Sequence, residues 1–427
     1  MIEFSHFLEK EKIIERLIDY YGIKDSNSEI LNDLKRFLRE LKYLNENKTE
    51  KSTYKKPIEL LIKFYELRMS HQQRKKLGEF YTSRDIVTYI FNQIGYSSKI
   101  NIENKKILDP SCGSGSFLVE AVLRIIQFFL NEVDKNSLKD LNSQEVKILI
   151  SMIKKNVHGI DINPIACILC QINIHYVLLE AYKCLIIDGD FELPYFNIIN
   201  RNAISYDLDD DYSFIVGNPP YVFIRNIPQK ERRLIETTKF YTNQGQYDYY
   251  QIFIELGIRS LKNDGFLGYI VPDSLLVLSN REILRKFIYE NTRIKEIFHT
   301  GPKFEDPVVS NIILILQKDE NENSRLNNKI NIKLANSEQN SIKKIIQKRF
   351  QNPGYKFLIN LNDKDLTILN HLNCFPKLKN LNQKEGFKLS LSRGVELAKT
   401  GEIIYCDRCE LFYPIPKKAL ICPECRS

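Results

Sequence analysis

Apolar positions along this chain follow two rhythms. Up to about residue 75 they recur at spacings of three and four, over residues 7–20, 30–44 and 58–69, which predicts helices. Polar stretches at 24–28 and 45–57 separate them, so residues 1–75 form an N-terminal helical region. Beyond residue 105 the pattern changes to short β-branched and aromatic runs, at 107–108, 157–161, 197–203, 214–216, 265–272, 294–299 and 312–316. Apolar helical stretches at 117–129 and from Asp248 onward lie between them. Strand and helix in alternation predict an α/β domain, with one sheet of about seven strands flanked by helices. Residues 131–155 read as an inserted polar helix pair.

The chemistry lies at the carboxyl ends of these runs. Ile107-Leu108 ends in Asp109-Pro110-Ser111-Cys112-Gly113-Ser114-Gly115, and Ser116 opens the next helix. Strand, glycine-rich turn, helix is the nucleotide-type unit of a doubly wound sheet, and Gly113 and Gly115 permit close backbone approach to a ligand. The turn lacks the third glycine of a dinucleotide fingerprint and the Gly-Lys-Ser/Thr of a P-loop. Asp109 instead places a carboxylate where a cationic amino-acid group can pair with it. Asp161 closes the second run, where an acid accepts hydrogen bonds from ribose hydroxyls, or alternatively caps the helix starting near Pro164. Ile162 beside it can pack on a planar base. Cys112 and Cys167 read as small packing residues.

The fourth run, Phe214 to Val216, stops in Gly217-Asn218-Pro219-Pro220-Tyr221. Two prolines lack N–H groups and fix φ, so their carbonyls face outward as acceptors. Asn218 adds a side-chain acceptor, and Tyr221 a flat face for a planar base. Two convergent acceptors can hold the hydrogens of an NH2 group and aim its lone pair, which suits methylation of an amino nitrogen. Upstream, Phe80-Tyr81-Thr82-Ser83 offers an aromatic pair to line a pocket, with Ser83 placed to cap the following helix.

Charge and cysteine add two features. The net charge of +8 is concentrated between Lys329 and Lys399, where 14 Lys and Arg face 5 Asp and Glu. The rest of the chain is close to neutral. Such a segment fits a nucleic-acid phosphate surface, or simply a Lys-rich solvated face. Near the end, Cys406-x2-Cys409 and Cys422-x2-Cys425 form two knuckles suited to a tetrahedral structural zinc ion, a zinc ribbon over 403–427. No apolar run reaches the ~18 residues of a membrane span. The first residues lack a basic and apolar leader, and with nine cysteines this predicts a cytoplasmic chain without a membrane. Residues 1–75 hold no spaced Asp, Glu and Lys set of a metal-dependent nuclease.

Together the aromatic-Thr loop, Asp-Pro-x-Cys-Gly-Ser-Gly, Gly-Ile-Asp and Asn-Pro-Pro-Tyr resemble the gamma-type N6-adenine DNA methyltransferases. The likeness is greatest to the methylase core of type I and type IIG restriction-modification enzymes with a TaqI-like C-terminal domain, and it covers roughly residues 76–318. It implies a Rossmann-like S-adenosylmethionine-dependent methyltransferase domain over 76–320. By the same resemblance, 321–427 is the basic start of a target-recognition domain, with Leu391 to Glu396 near its beginning. Asp109, Gly113 and Gly115 would hold the methionine part of S-adenosylmethionine within a turn that includes Pro110 and Cys112. Asp161 and Ile162 would hold its nucleoside. Phe80, Tyr81 and Thr82 match the first cofactor loop, although Ser83 replaces the usual proline. Asn202 stands where the family often has an aspartate near the cofactor adenine. Adenine would flip out of double-stranded DNA, with Asn218 and Pro219 holding its amino group and Pro220 and Tyr221 completing the loop. The part of a recognition domain present is small, which implies a shortened chain or a separate specificity subunit. Asn-Pro-Pro-Tyr also serves methylation of RNA adenine or a protein glutamine amide. A non-catalytic nucleic-acid-binding subunit is the reading of another class.

Overall fold

The structure, a computed structural model, describes residues 7, 10–23, 82–302, 310–335, 342–375, 403–409, 411–414 and 425. The expected helices at 30–44 and 58–69 lie outside these. The chain divides into two compact units, Met1–Ile359 and Asn360–Ser427.

The first unit is built on one sheet. In chain order its elements are α1 (Ile13–Tyr20), α2 (Arg84–Gln93), β1 (Ile107–Asp109), α3 (Ser116–Glu132), α4 (Ser143–Asn156), β2 (Val157–Asp161), α5 (Pro164–Ile187), β3 (Asn197–Asn200) and β4 (Tyr212–Gly217). Then come α6 (Gln229–Thr237), α7 (Tyr249–Ser260), β5 (Leu261–Pro272), α8 (Glu282–Asn291), β6 (Thr292–Pro302), β7 (Ser310–Lys318), α9 (Glu322–Leu326), β8 (Lys329–Leu334) and β9 (Lys343–Ile346). The strand order is β3-β2-β1-β4-β5-β7-β6-β8-β9. Strands β3 to β5 along this order run parallel, and β7 pairs antiparallel with both β5 and β6.

Among the described residues the sheet therefore has nine strands rather than about seven. The seven expected runs are all present as β1 to β7. The two extra strands, β8 and β9, are short and Lys-interrupted (Lys-Ile-Asn-Ile-Lys-Leu and Lys-Lys-Ile-Ile), so charge masks their alternation. They extend the same sheet past residue 320, so the expected division there falls between β7 and β8. Residues 131–155 hold a 3-10 turn at Leu138–Asp140 and the single helix α4, not a helix pair. An Asn142–Glu145 capping box starts α4.

Alternation along β4 explains the two-sided core. Phe214 and Val216 join the cluster under α3 and α5, while Ile215 joins the opposite cluster under α7 and α8. Helix α5 is long and apolar enough to cross a membrane by composition, but 83% of that window is buried, as in a core helix. Its interior polar groups are used for joining. Gln171 donates to the Phe196 carbonyl (3.0 Å) and to the Tyr21 hydroxyl (3.2 Å) and accepts from the Phe196 amide (3.2 Å), tying the end of α1 to the approach to β3.

Chain order reverses across the β1–β4 pair: from β1 it moves outward to β3, then returns to β4 on the other side. At such a switch point two connections leave in opposite directions and open a crevice at the carboxyl ends of the strands.

The second unit contains a helix over Asp363–Asn373, started by an Asn362–Asp365 capping box, and an antiparallel pair, Ile403–Cys406 with Leu411–Pro414.

Candidate active site

Asp109 ends β1 and is buried. Its carboxylate accepts from the Ser111 amide at 3.0 Å. Burial pushes its pKa up to about 8; the Ser111 bond pulls it down, and nearby Asp161 pushes it further up. Gly217, at the end of neighbouring β4, leaves room for that carboxylate. A Cβ there would sit 2.8 Å from Asp109 Oδ1, and its φ of 154° disfavours any other residue.

The turn after β1 is drawn onto the end of β2. The Cys112 amide donates to the Ile160 carbonyl (3.0 Å), and the Gly113 amide to Asp161 Oδ2 (2.8 Å). Asp161 Oδ1 accepts from the Asn163 amide (2.8 Å). Burial raises the pKa of Asp161, while the Asn163 and Gly113 bonds lower it. The helix-cap alternative for Asp161 is thereby answered. Asn163 is the residue that caps α5, accepting from the Ile165 amide at 3.1 Å.

Gly115 caps α3 with φ 93°, and a Cβ there would meet Cys170 Sγ at 2.6 Å. Gly113, at φ 53°, faces open space: among the described residues, its chain neighbours aside, no atom lies within 4 Å of a Cβ built there. From below, Asn173 of α5 donates to the Ser114 carbonyl at 2.8 Å and fixes the turn's height. Cys112, Cys167 and Cys170 pack in the core beneath it, as small apolar residues do. Ile162 is 52% exposed beside Asp161, an apolar surface at the crevice rim.

The Asn-Pro-Pro-Tyr loop leaves β4 one strand away. Asn218 Nδ2 donates to Thr82 Oγ1 at 3.1 Å, bringing together two positions 136 residues apart. Thr82 is buried and directly precedes Ser83, the residue at the N-terminus of α2. Ser83 occupies the expected cap position, but its backbone carbonyl accepts there, from Ile86 and Val87, rather than its side chain. Helix α2 is held in turn by Tyr89, whose hydroxyl donates to buried Glu296 of β6. Lys333 of β8 closes that group, 3.2 Å from Glu296. Tyr221 donates its hydroxyl to the Ile270 carbonyl (3.0 Å), and its ring meets Tyr250 edge-on, 6.3 Å between centroids. Burial raises the pKa of that hydroxyl, so it remains protonated.

Asp109, Gly113, Asp161, Thr82 and Asn218 thus converge on one crevice. The structure does not join Asn202 to them: its amide oxygen is engaged in its own turn, accepting from the Ile204 amide at 3.0 Å. Phe80 and Tyr81 fall outside the described residues. Local pattern reading missed Tyr250 and Arg281, which sit behind Tyr221, because no motif of fixed spacing joins them to it.

In the second unit Cys406, Cys409 and Cys425 bring their sulfurs within 4.8 Å of one another. Cys422 lies outside the described residues.

The fold is a mixed α/β domain with a large sheet. Residues 155–304 match the family described as Eco57I restriction-modification methylase. The chain is 28% identical over 258 residues to the type II restriction enzyme and methyltransferase RM.Eco57I of Escherichia coli, covering 53% of this chain and 26% of that protein. It is 28% identical over 263 residues to the type II methyltransferase M.BstVI of Geobacillus stearothermophilus, covering 57% and 42%. The chain thus spans less than half the length of these relatives. Among solved structures, the DrdV–DNA complex superposes with a TM-score of 0.53 at 14% identity, over 85% of this chain and 41% of that one. That likeness supports the fold alone.

Proposed function

We propose that this chain transfers the methyl group of S-adenosylmethionine to the N6 amino group of adenine in DNA, as part of a restriction-modification or related defence system. The observation that carries it is the Thr82–Asn218 hydrogen bond at the mouth of the crevice, one strand from the Asp109–Gly113 turn. It joins the loop suited to holding an amino group to the segment that follows the aromatic pair.

The residues present fit the cofactor. The space facing Gly113 admits a ligand against backbone. A buried carboxyl with a pKa of about 8 gains from a cation, and the methionine ammonium supplies one. Ile162 offers an apolar face to the adenine ring. When bound, the cofactor supplies an electrophilic sulfonium methyl. The chain's contribution is then positioning. Asn218, its amide nitrogen committed to Thr82, presents its amide oxygen and the Pro219 carbonyl to the two N6 hydrogens. Tyr221 stacks on the extruded base. Held so, the amino nitrogen would turn its lone pair towards the methyl donor without prior loss of a proton, and no side-chain nucleophile would take part. The proton leaves to solvent after transfer.

Labelled-methyl transfer to duplex DNA, RNA and a glutamine-containing peptide tests the acceptor. Label confined to DNA is expected; label in RNA or peptide alone would replace this reading with another acceptor.

For the second unit we infer structural zinc. Three thiols at mutual ligand distance, with Cys422 as the fourth in sequence, form a donor set for a tetrahedral ion. Metal analysis should return about one zinc per chain, and Cys406→Ser should lower it. A zinc-free preparation with an unchanged melting profile would refute the site.

A further inference from the structure

Arg281 is buried, 3% exposed, in the short turn between β5 and α8. Burying a guanidinium is costly unless every donor is used. Here its bonds all go to one strip of chain. Nε donates to the Tyr250 hydroxyl (2.9 Å), Nη1 to the Gln246 carbonyl (2.9 Å) and Nη2 to the Asp248 carboxylate. That strip is the partner of the segment leaving the Asn-Pro-Pro-Tyr loop. The Tyr249 amide donates to the Val222 carbonyl (2.9 Å), and the Ile224 amide to the Tyr247 carbonyl (2.9 Å). Tyr250 then meets Tyr221 edge to face, at 82° between ring planes. Tyr221 is thus held at its tip by the Ile270 carbonyl and on its flank by a ring that Arg281 fixes.

Resting on the proposed function, we propose that Arg281 is a positioning residue: through Tyr250 and Asp248 it sets the plane of the Tyr221 ring, and with it the orientation of the base stacked there. It touches no substrate. A ring tilted by loss of its support still binds, but presents the base off the line of transfer, so the effect falls on kcat rather than on cofactor affinity.

The chain contains no tryptophan, so Tyr221→Trp introduces a lone fluorescent reporter at this ring. The experiment places Arg281→Met, Arg281→Lys and Tyr250→Phe in the native and the Tyr221→Trp backgrounds of the full chain. It reads indole anisotropy, acrylamide quenching, S-adenosylmethionine affinity and methyl transfer to unmethylated mixed-sequence duplex DNA. With Arg281→Met, quenching should rise about twofold or more and kcat should fall by roughly 10- to 100-fold, while cofactor affinity stays within about twofold. Arg281→Lys should recover part of the loss. Tyr250→Phe, which keeps the ring and removes the hydroxyl, should show the same direction to a smaller extent, and it replaces Arg281→Met if that variant does not fold. An unmoved indole signal with kcat within about twofold of the parent overturns the inference. If the native chain methylates no acceptor, the proposed function fails separately. The indole signal then decides alone: loosening supports the clamp and an unchanged signal overturns it.

Discussion

The two sides of the sheet on either flank of the β4–β5 pair hold their functional groups by different means. On the β3-β2-β1-β4 side, short parallel strands end in acids that are met by backbone amides: Asp109 by Ser111 two residues on, Asp161 by Asn163 two residues on and by Gly113 of the turn after β1. On the β5-β7-β6-β8 side, buried side-chain charges do the holding: Arg281 on Gln246 to Tyr250, Arg285 on Leu275, Leu278, Gly354 and Tyr355, and Glu296 with Tyr89 and Lys333. Backbone amides on a glycine turn give a rigid cradle for a ligand of fixed shape. Side-chain clamps hold the loops of the other side in place.

The largest expected effect separates the two sides most cleanly. Asn218→Ala should lower methyl transfer by about 10³-fold or more, with S-adenosylmethionine affinity unchanged in calorimetry. Loss of cofactor binding as well would mean that the loop and the cradle are one unit. The reciprocal change is Gly217→Ala. Its Cβ would meet Asp109 Oδ1 at 2.8 Å, so cofactor affinity should fall by roughly 10- to 100-fold in the same titration. Affinity equal to that of the parent would show that Asp109 moves freely.

Arg285 tests the clamped side through stability. Its guanidinium donates to the carbonyls of Leu275 (3.0 Å), Leu278 (2.7 Å), Tyr355 (3.1 Å) and Gly354 (3.0 Å from Nε, 2.6 Å from Nη2). Arg285→Met leaves those acceptors without their donor and should destabilise the first unit by on the order of 3 kcal/mol in denaturant unfolding.

The last effect concerns pH. Asp109 has a folded pKa of about 8, above the value of 3.8 expected for an unperturbed aspartate. A raised acid binds more protons folded than unfolded, so its contribution to stability is greatest below pH 4 and is lost as pH rises towards 8. Asp109→Asn should therefore flatten the fall in melting temperature across that window in the cofactor-free protein, while weakening cofactor binding. Wild-type affinity for S-adenosylmethionine should rise over the same interval, since the ammonium pairs with the ionised carboxylate. A pH-independent affinity would contradict the pairing.

The same contrast explains what the sequence made legible. The cradle is contiguous: Asp109 to Gly115 and Gly159 to Asp161 carry their own strand, turn and cap signals. So does the Gly217 to Tyr221 loop. Each was readable because spacing along the chain equals proximity in the fold. Convergence of Thr82 with Asn218 needed a family pattern, since 136 residues intervene. The clamps had no signal of either kind. Arg281 reads as one more basic residue in a loop, and only its contacts with the Gln246 to Tyr250 strip bury it. Strands β8 and β9 were hidden by the lysines that interrupt their alternation.

The most direct measurement is hydrolysis of duplex DNA after incubation with labelled S-adenosylmethionine and either the native chain or Asn218→Ala, followed by nucleoside separation. Label in N6-methyladenine with the native chain, absent with a variant that still binds the cofactor, is the expected result. Equal label from both proteins, or label in a nucleoside other than N6-methyladenine, would contradict the assignment of the Asn218 loop as the group that positions the adenine amine.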